Sequence, residues 1–419
     1  MYDGFWLNLG ISPGFNRSLS KRKETMRKLV SVGLLVLCGV IWPSTVLATS
    51  QWARKYKAEC SLCHQGFPRL NSFGEEFMRN GYQVPGDMDG AITGKTKIGE
   101  RLSLDNVTDI LGLRLNITPV SAHVSSRTVV YGNPNWLQFF VAGAITKNIS
   151  IFIENEITTS GAHFSWYKFG FHNLFGTKAL NVTIGNLSPL DHSSFSNRLR
   201  IIPPEQNEFF GIKPSRGKGE ASVNASSARP GAMLYGDLGK VTYYAGLSSG
   251  VVTPTSNDTL NTWLGVRYNI DVKPIDGTNF SVTYYEGTDV KNGGKDSQVD
   301  NNFRWVIPAF NLRAGQLDLQ AAARVGHEDN YLLVGNNVKS DGFLGYGFTV
   351  SYMLNNRWQP AVLYDNIVSG NIVGTGKEWL TGALTYFPVD NIRFGGFYKR
   401  DIEDNGKNDK VYCNIRVMF

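Results

Sequence analysis

The sequence predicts an all-β fold, a transmembrane antiparallel β-barrel of about 16 strands behind a small N-terminal domain built on paired cysteines. Three observations predict it. Segments of alternating apolar and polar residues recur through residues 97–419, the connections between them alternate long and short, and the chain ends on an alternating strand closed by Phe419.

The alternation is clearest in four places. Leu317, Leu319, Ala321, Ala323 and Val325 are expected to face lipid while Asp318, Gln320 and Arg324 face inward. Leu264, Val266, Tyr268 and Ile270 alternate with Arg267 and Asn269; Ile149, Ile151 and Ile153 with Ser150 and Glu154; Leu380, Gly382, Leu384 and Tyr386 with Thr381 and Thr385. A slip of one residue would put charge into hydrocarbon, so the register is well specified. Segments of this kind begin near residues 108, 135, 149, 166, 179, 232, 241, 261, 279, 301, 317, 342, 358, 378, 392 and 410. Pro360 removes a ladder donor within one of them.

Counted back from the C-terminus, the connection 400–409 is long, 388–391 short, 367–377 long, 355–357 short and 327–341 long. That rhythm belongs to barrels with short periplasmic turns and long outer loops, and it implies an even strand number with both termini periplasmic. A soluble β-sandwich would not be expected to keep it. In the last segment Val411, Cys413, Ile415, Val417 and Phe419 share one face, which makes Cys413 a small apolar residue on the lipid side. A terminal aromatic there resembles the insertion signal of bacterial outer-membrane proteins. The connection 186–230, with His192, Arg198 and Arg200, is out of scale. It could constrict the lumen, form an outer docking surface or lack order; constriction is the expectation. A barrel of this size leaves an aqueous channel. Arg114, Arg267, Arg324, Arg393, Lys399 and Arg416, set against Glu154, Glu156, Asp318 and Asp365, would line it, most of them as solvated charges.

Composition excludes other classes. Residues 1–48 read as a processing segment: a basic stretch from Met26, an apolar run from Leu29 to Ile41, and small residues at Val46-Leu47-Ala48 where a signal peptidase would cut. Met26 is a second candidate start, and Cys38 is a poor lipobox cysteine because Leu37 precedes it. This segment holds six of the Lys and Arg but only two acids, so the formal charge of +7 overstates the basicity of residues 49–419. No basic stripe with interleaved aromatics is present, which argues against a nucleic-acid partner. No later apolar run is long enough for a membrane helix.

The stretch 49–96 carries Cys60-Ser61-Leu62-Cys63-His64, the C-x-x-C-H pattern of covalent haem c attachment. Two thiols three positions apart can each take one vinyl group of a single haem, and the adjacent imidazole of His64 then faces the iron as proximal ligand. Zinc needs about four ligands, and the only later cysteine is Cys413. A thioredoxin-like pair would need a βαβ setting that is missing. Downstream, Ser72-Phe73-Gly74-Glu75 reads as a capping box, with Gly81 as the helix stop. Leu70, Phe73 and Phe77 then fall on one face, to cover the haem or to pack on the barrel. So short a domain cannot bury an apolar core alone, so the porphyrin is expected to supply much of it. The distal ligand stays open. Met78 and Met88 are near in sequence, and His163, His172, His192 and His327 could reach only if the haem sits in the lumen.

Ala53-Arg54, Cys60-x-x-Cys63-His64, Pro68, Leu70, Phe73-Gly74, Phe77 and Asn80-Gly81-Tyr82 together resemble the block that precedes the porin in the fused monohaem cytochrome-porins of bacterial outer membranes. That family includes outer-membrane iron oxidases, whose A-R pair tends to follow Pro and Phe; here Ser50, Gln51 and Trp52 stand there. The resemblance covers about 30 residues by motif and the barrel by architecture. It implies one covalent haem on Cys60 and Cys63 with His64 on the iron. It also implies an electron conduit in outer-membrane lipid between an extracellular donor such as Fe(II) and a periplasmic c-type cytochrome or other carrier. A solute channel gated or sensed by the haem domain is the alternative, and a haem enzyme such as a peroxidase a third.

Overall fold

The computed structural model describes residues 50–85, 96–97, 103–104, 107–124, 126, 128–132, 134–196, 199–202, 207–210, 225–250, 259–292, 298–334, 337–369 and 377–419. Expectations for residues 1–48 and for Met88 lie outside the described residues.

Sixteen antiparallel strands close the barrel among the described residues. They are β1 (Leu111–His123), β2 (Trp136–Thr146), β3 (Ile149–Thr158), β4 (Gly161–Phe171), β5 (Asn181–Leu187), β6 (Arg229–Leu238), β7 (Val241–Ser249) and β8 (Leu260–Ile270). There follow β9 (Thr278–Asn292), β10 (Gln298–Ala314), β11 (Leu317–Val334), β12 (Asn337–Tyr352), β13 (Trp358–Ser369), β14 (Lys377–Val389), β15 (Ile392–Asp401) and β16 (Lys410–Met418). β16 pairs with β1, Met418 opposite Arg114, which closes the wall and leaves no free edge. A short extra strand, Thr128–Tyr131, pairs with the far half of β1, whose near half pairs directly with β2.

Each expected segment is a strand. Leu264, Val266, Val325 and Leu384 lie exposed on the outer face, while Arg267, Asp318, Arg324 and Thr385 are buried on the inner one. Pro360 sits within β13 opposite Leu384. One connection differs. The expected long loop 327–341 is largely strand, because β11 and β12 continue pairing as a hairpin as far as Val334 and Asn337. One rim carries the two-residue turns at 147–148, 239–240, 315–316 and 390–391. The same rim holds the chain end, where the Phe419 amide donates to the Leu113 carbonyl. At the opposite rim the tight Thr158–Gly161 hairpin departs from the long-loop rhythm.

The lumen is not simply an aqueous channel. Two segments fill its described part: the N-terminal stretch 50–85, and the described residues of the connection 188–228, which begins at the far rim and turns inward. In the second, Leu190, Phe195, Phe209 and Phe210 form one apolar cluster with the inward-facing Tyr235, Tyr244, Trp263, Tyr285, Phe303 and Trp305. The connection reaches deep. The Ser194 amide donates to Ser281 Oγ at 2.9 Å and Gln320 Nε2 donates to the Ser194 carbonyl at 3.0 Å. The expectation of a lumenal constriction therefore holds for the described residues.

That filling corrects the expected solvated lumen. Arg324 is fully buried, stacks on the Trp305 ring at 4.0 Å and donates to the Phe210 carbonyl. Arg393 donates to the Ile201 carbonyl at 3.2 Å. A period of two reports which side chains point inward; it does not report whether they meet water or protein.

Candidate functional site

The N-terminal segment is organised by its own hydrogen bonds. It runs through helix α1 (Gln51–Tyr56), a 3-10 turn over Cys60–Leu62, a short ladder of His64–Gly66 on Arg69–Leu70, and helix α2 (Ser72–Arg79). Asn71, not Ser72, caps α2: its side-chain oxygen accepts from the Gly74 amide at 2.9 Å. The same side chain donates to the Ser61 and Leu62 carbonyls, and its own amide donates to the Cys63 carbonyl. One residue thus ties the cysteine turn to the helix. At the other end Gly81 takes φ +70°, its amide donates to the Met78 carbonyl and that of Tyr82 to Phe77, which is a Schellman stop. A Cβ at Gly74 would run into the Cys63 carbonyl, so glycine lets α2 lie directly on the motif.

Barrel residues hold this segment in place. Glu75 accepts from Arg267 Nη2 at 2.7 Å and Arg313 Nη2 at 2.5 Å, with Arg79 nearby at 3.8 Å. Burial alone would raise the Glu75 carboxyl, but Arg267, Arg313 and Arg79 together outweigh it and hold it at about 2. Arg69 donates to Asp318 at 3.0 Å and Arg79 to Asp237 at 3.2 Å. On the apolar side Phe77 and Tyr82 pack with Phe140, Ala142 and Phe152 of β2 and β3, and Trp52 stacks on Tyr82 at 4.8 Å. The barrel wall therefore supplies much of the core that the short domain lacks, a share expected of the porphyrin.

Between the segment, the wall and the inturned connection lies a cavity of about 550 Å³. Cys60, Cys63 and His64 line it together, with Leu70, Phe73, Phe77 and Met78. Glu154, Trp166 and Arg416 of the wall and His192 and Ser193 of the connection line it as well. One ring nitrogen of His64 is already engaged: Nδ1 is 3.1 Å from the Pro68 carbonyl, which leaves Nε2 for an external partner. Burial depresses the imidazole to about 4, so it is neutral and able to ligate. Burial also pushes both thiols up to about 11, so neither is a thiolate at neutral pH.

These residues fit a haem c. The cavity has the scale of a small-molecule site, two neutral thiols and a neutral imidazole line it in the order that attachment requires, and one of its lining residues carries a buried nitrogen with no partner, His192 Nδ1. Of the other candidate histidines, His172 has both ring nitrogens engaged, by Ser150 Oγ at 2.6 Å and Tyr235 Oη at 3.0 Å. His163 and His327 lie exposed, away from the cavity. In the sequence His192 is one candidate histidine among four; its presence in the out-of-scale connection is the one available signal.

No family model and no curated protein matches the chain. Solved structures do. The Salmonella typhi OmpF complex with daunomycin superposes with a TM-score of 0.53 at 11% identity, over 76% of this chain and 98% of that one. An anion-selective porin from Comamonas acidovorans gives 0.53 at 10%, over 74% and 98%. A loop-deleted OmpT of Vibrio cholerae gives 0.52 at 10%, over 74% and 98%. At these identities the likeness is one of fold: the chain has the architecture of outer-membrane porins.

Proposed function

We propose that the chain is an outer-membrane cytochrome-porin that carries electrons between an extracellular donor, Fe(II) foremost, and a periplasmic electron carrier such as a c-type cytochrome. The observation that carries this reading is the cavity lined by Cys60, Cys63 and His64 inside the barrel. An apolar band is about 25 Å tall, and electron transfer weakens steeply with distance, so a single redox centre can serve both sides only from within the lumen. A haem bound there supplies a one-electron iron couple. Cys60 and Cys63 would hold the porphyrin and His64, fixed by the Pro68 carbonyl, would hold the iron; Phe73, Phe77 and Trp52 would exclude water; the Glu75 clamp fixes the whole segment in the wall. Each Fe(II) oxidised to Fe(III) outside delivers one electron to the carrier inside, the stoichiometry of an Fe(II):cytochrome c oxidoreductase.

The porin architecture favours a second reading, a solute channel sensed or gated by the N-terminal segment. Anaerobic titration of the purified, detergent-solubilised protein with Fe(II), followed by the haem absorption bands, separates the two. Rapid one-to-one reduction is expected. A haem spectrum that Fe(II) leaves oxidised removes the iron role and favours another donor or the channel.

A further inference from the structure

We infer that His192 is the second protein ligand of the haem iron, so that the inturned connection and the N-terminal segment both hold the cofactor. The inference rests on the haem-bearing reading of Cys60–His64. His192 and His64 are the two histidines that line the cavity among the described residues. They come from different elements, one from the N-terminal segment and one from the connection. A buried donor or acceptor left without a partner is unfavourable, and His192 Nδ1 is such an atom. That nitrogen is sealed off, so a metal in the cavity would meet the ring's other nitrogen, Nε2, which no hydrogen bond engages either. The imidazole is also held where a ligand must be held. Its ring stacks on Tyr235 at 4.4 Å, Asp191 before it pairs with Lys168 at 2.5 Å, and Ser193 and Ser194 after it bond Ser281. Positioning by neighbours of this kind is what orients metal ligands generally.

Met78 is the competing side chain. It lines the same cavity, but it packs against the Phe77 and Tyr82 cluster, and a thioether in an apolar setting needs no partner. The tyrosine and serine contacts that satisfy His172 show what a structural histidine looks like in this lumen; His192 departs from that pattern at Nδ1.

The test uses the full, detergent-solubilised chain, first checked for covalent haem on a denaturing gel. Electron paramagnetic resonance and near-infrared magnetic circular dichroism of the ferric protein then read the ligands. The expected wild type is six-coordinate and low-spin, without a sulfur-to-iron charge-transfer band. His192→Ala is expected to lose the low-spin signal and regain it with added imidazole, while Met78→Leu keeps the wild-type spectrum. Retention of the low-spin spectrum in His192→Ala would overturn the inference. So would a wild-type sulfur-to-iron band, or a high-spin wild type, and both of these are read without any variant having to fold. Absence of covalent haem from the wild type would remove the underlying reading instead, a failure distinguishable from the others.

Discussion

Glu75 shows how much of this molecule turns on single charges set far apart in the chain. It meets Arg267 and Arg313 at hydrogen-bond distance, and the two guanidinium groups are almost fully buried. Removing one partner of a buried pair typically costs about 3–5 kcal/mol, because the remaining charge is stranded. Glu75→Gln should therefore loosen the N-terminal segment, raising tryptic cleavage at Arg54 to Lys57 of the folded protein on the order of a hundredfold. The pH dependence has a fixed sign. The folded carboxyl sits at about 2 against an ordinary 4.5, so its stabilisation is complete above 4.5 and is lost as the pH falls from there toward 2. Acid should free the segment in the wild type over that window, and the Gln variant should lack that part of the response. Cys413 is the opposite case. It is exposed on the outer face, and Cys413→Ala should alter stability by no more than about 0.5 kcal/mol, measured as the heat-induced shift of the barrel on a gel.

Elements are legible in the sequence where one periodicity decides them. The strands beginning at Ile149, Val241, Leu317, Trp358, Ile392 and Lys410 start where alternation puts them, because a wall with lipid on one side leaves each side chain two options. The helix cap lies one residue away from the expected position: Ser72 satisfies the local pattern, but Asn71 reaches both the helix and the cysteine turn, and only the folded turn reveals the second contact. Asn71→Ala should cost about 1 kcal/mol from the cap alone and more from the lost bonds to Ser61 and Leu62. Its readout is a weakened low-spin haem signal at raised temperature. In the sequence Glu75 is no more than a capping residue, since its partners lie far downstream and no local pattern links them. The motif Cys60–His64 is legible because its C-x-x-C-H spacing lies within five consecutive residues, whereas His192 joins the same cavity only when the connection folds inward.

At the scale of the whole molecule the barrel and its filling make opposite demands on conductance. A porin of this strand number has a lumen wide enough for water, and here the described lumen holds Phe195, Phe209 and Phe210 packed on Trp305 and Tyr285 from one side and the segment 50–85 from the other. A conduit for electrons gains from that filling, which shortens the path and keeps solutes out; a solute channel does not. The intact protein in planar bilayers should therefore show little ionic conductance. Replacing Phe195, Phe209 and Phe210 together by Ala removes the packing of the connection, at about 3–5 kcal/mol for each buried ring. Steps of porin size should then appear, with the haem spectrum changed wherever His192 is released. Large steps in the unaltered protein, with the haem fully attached, would make solute passage the native activity and leave the electron-conduit reading without its structural rationale.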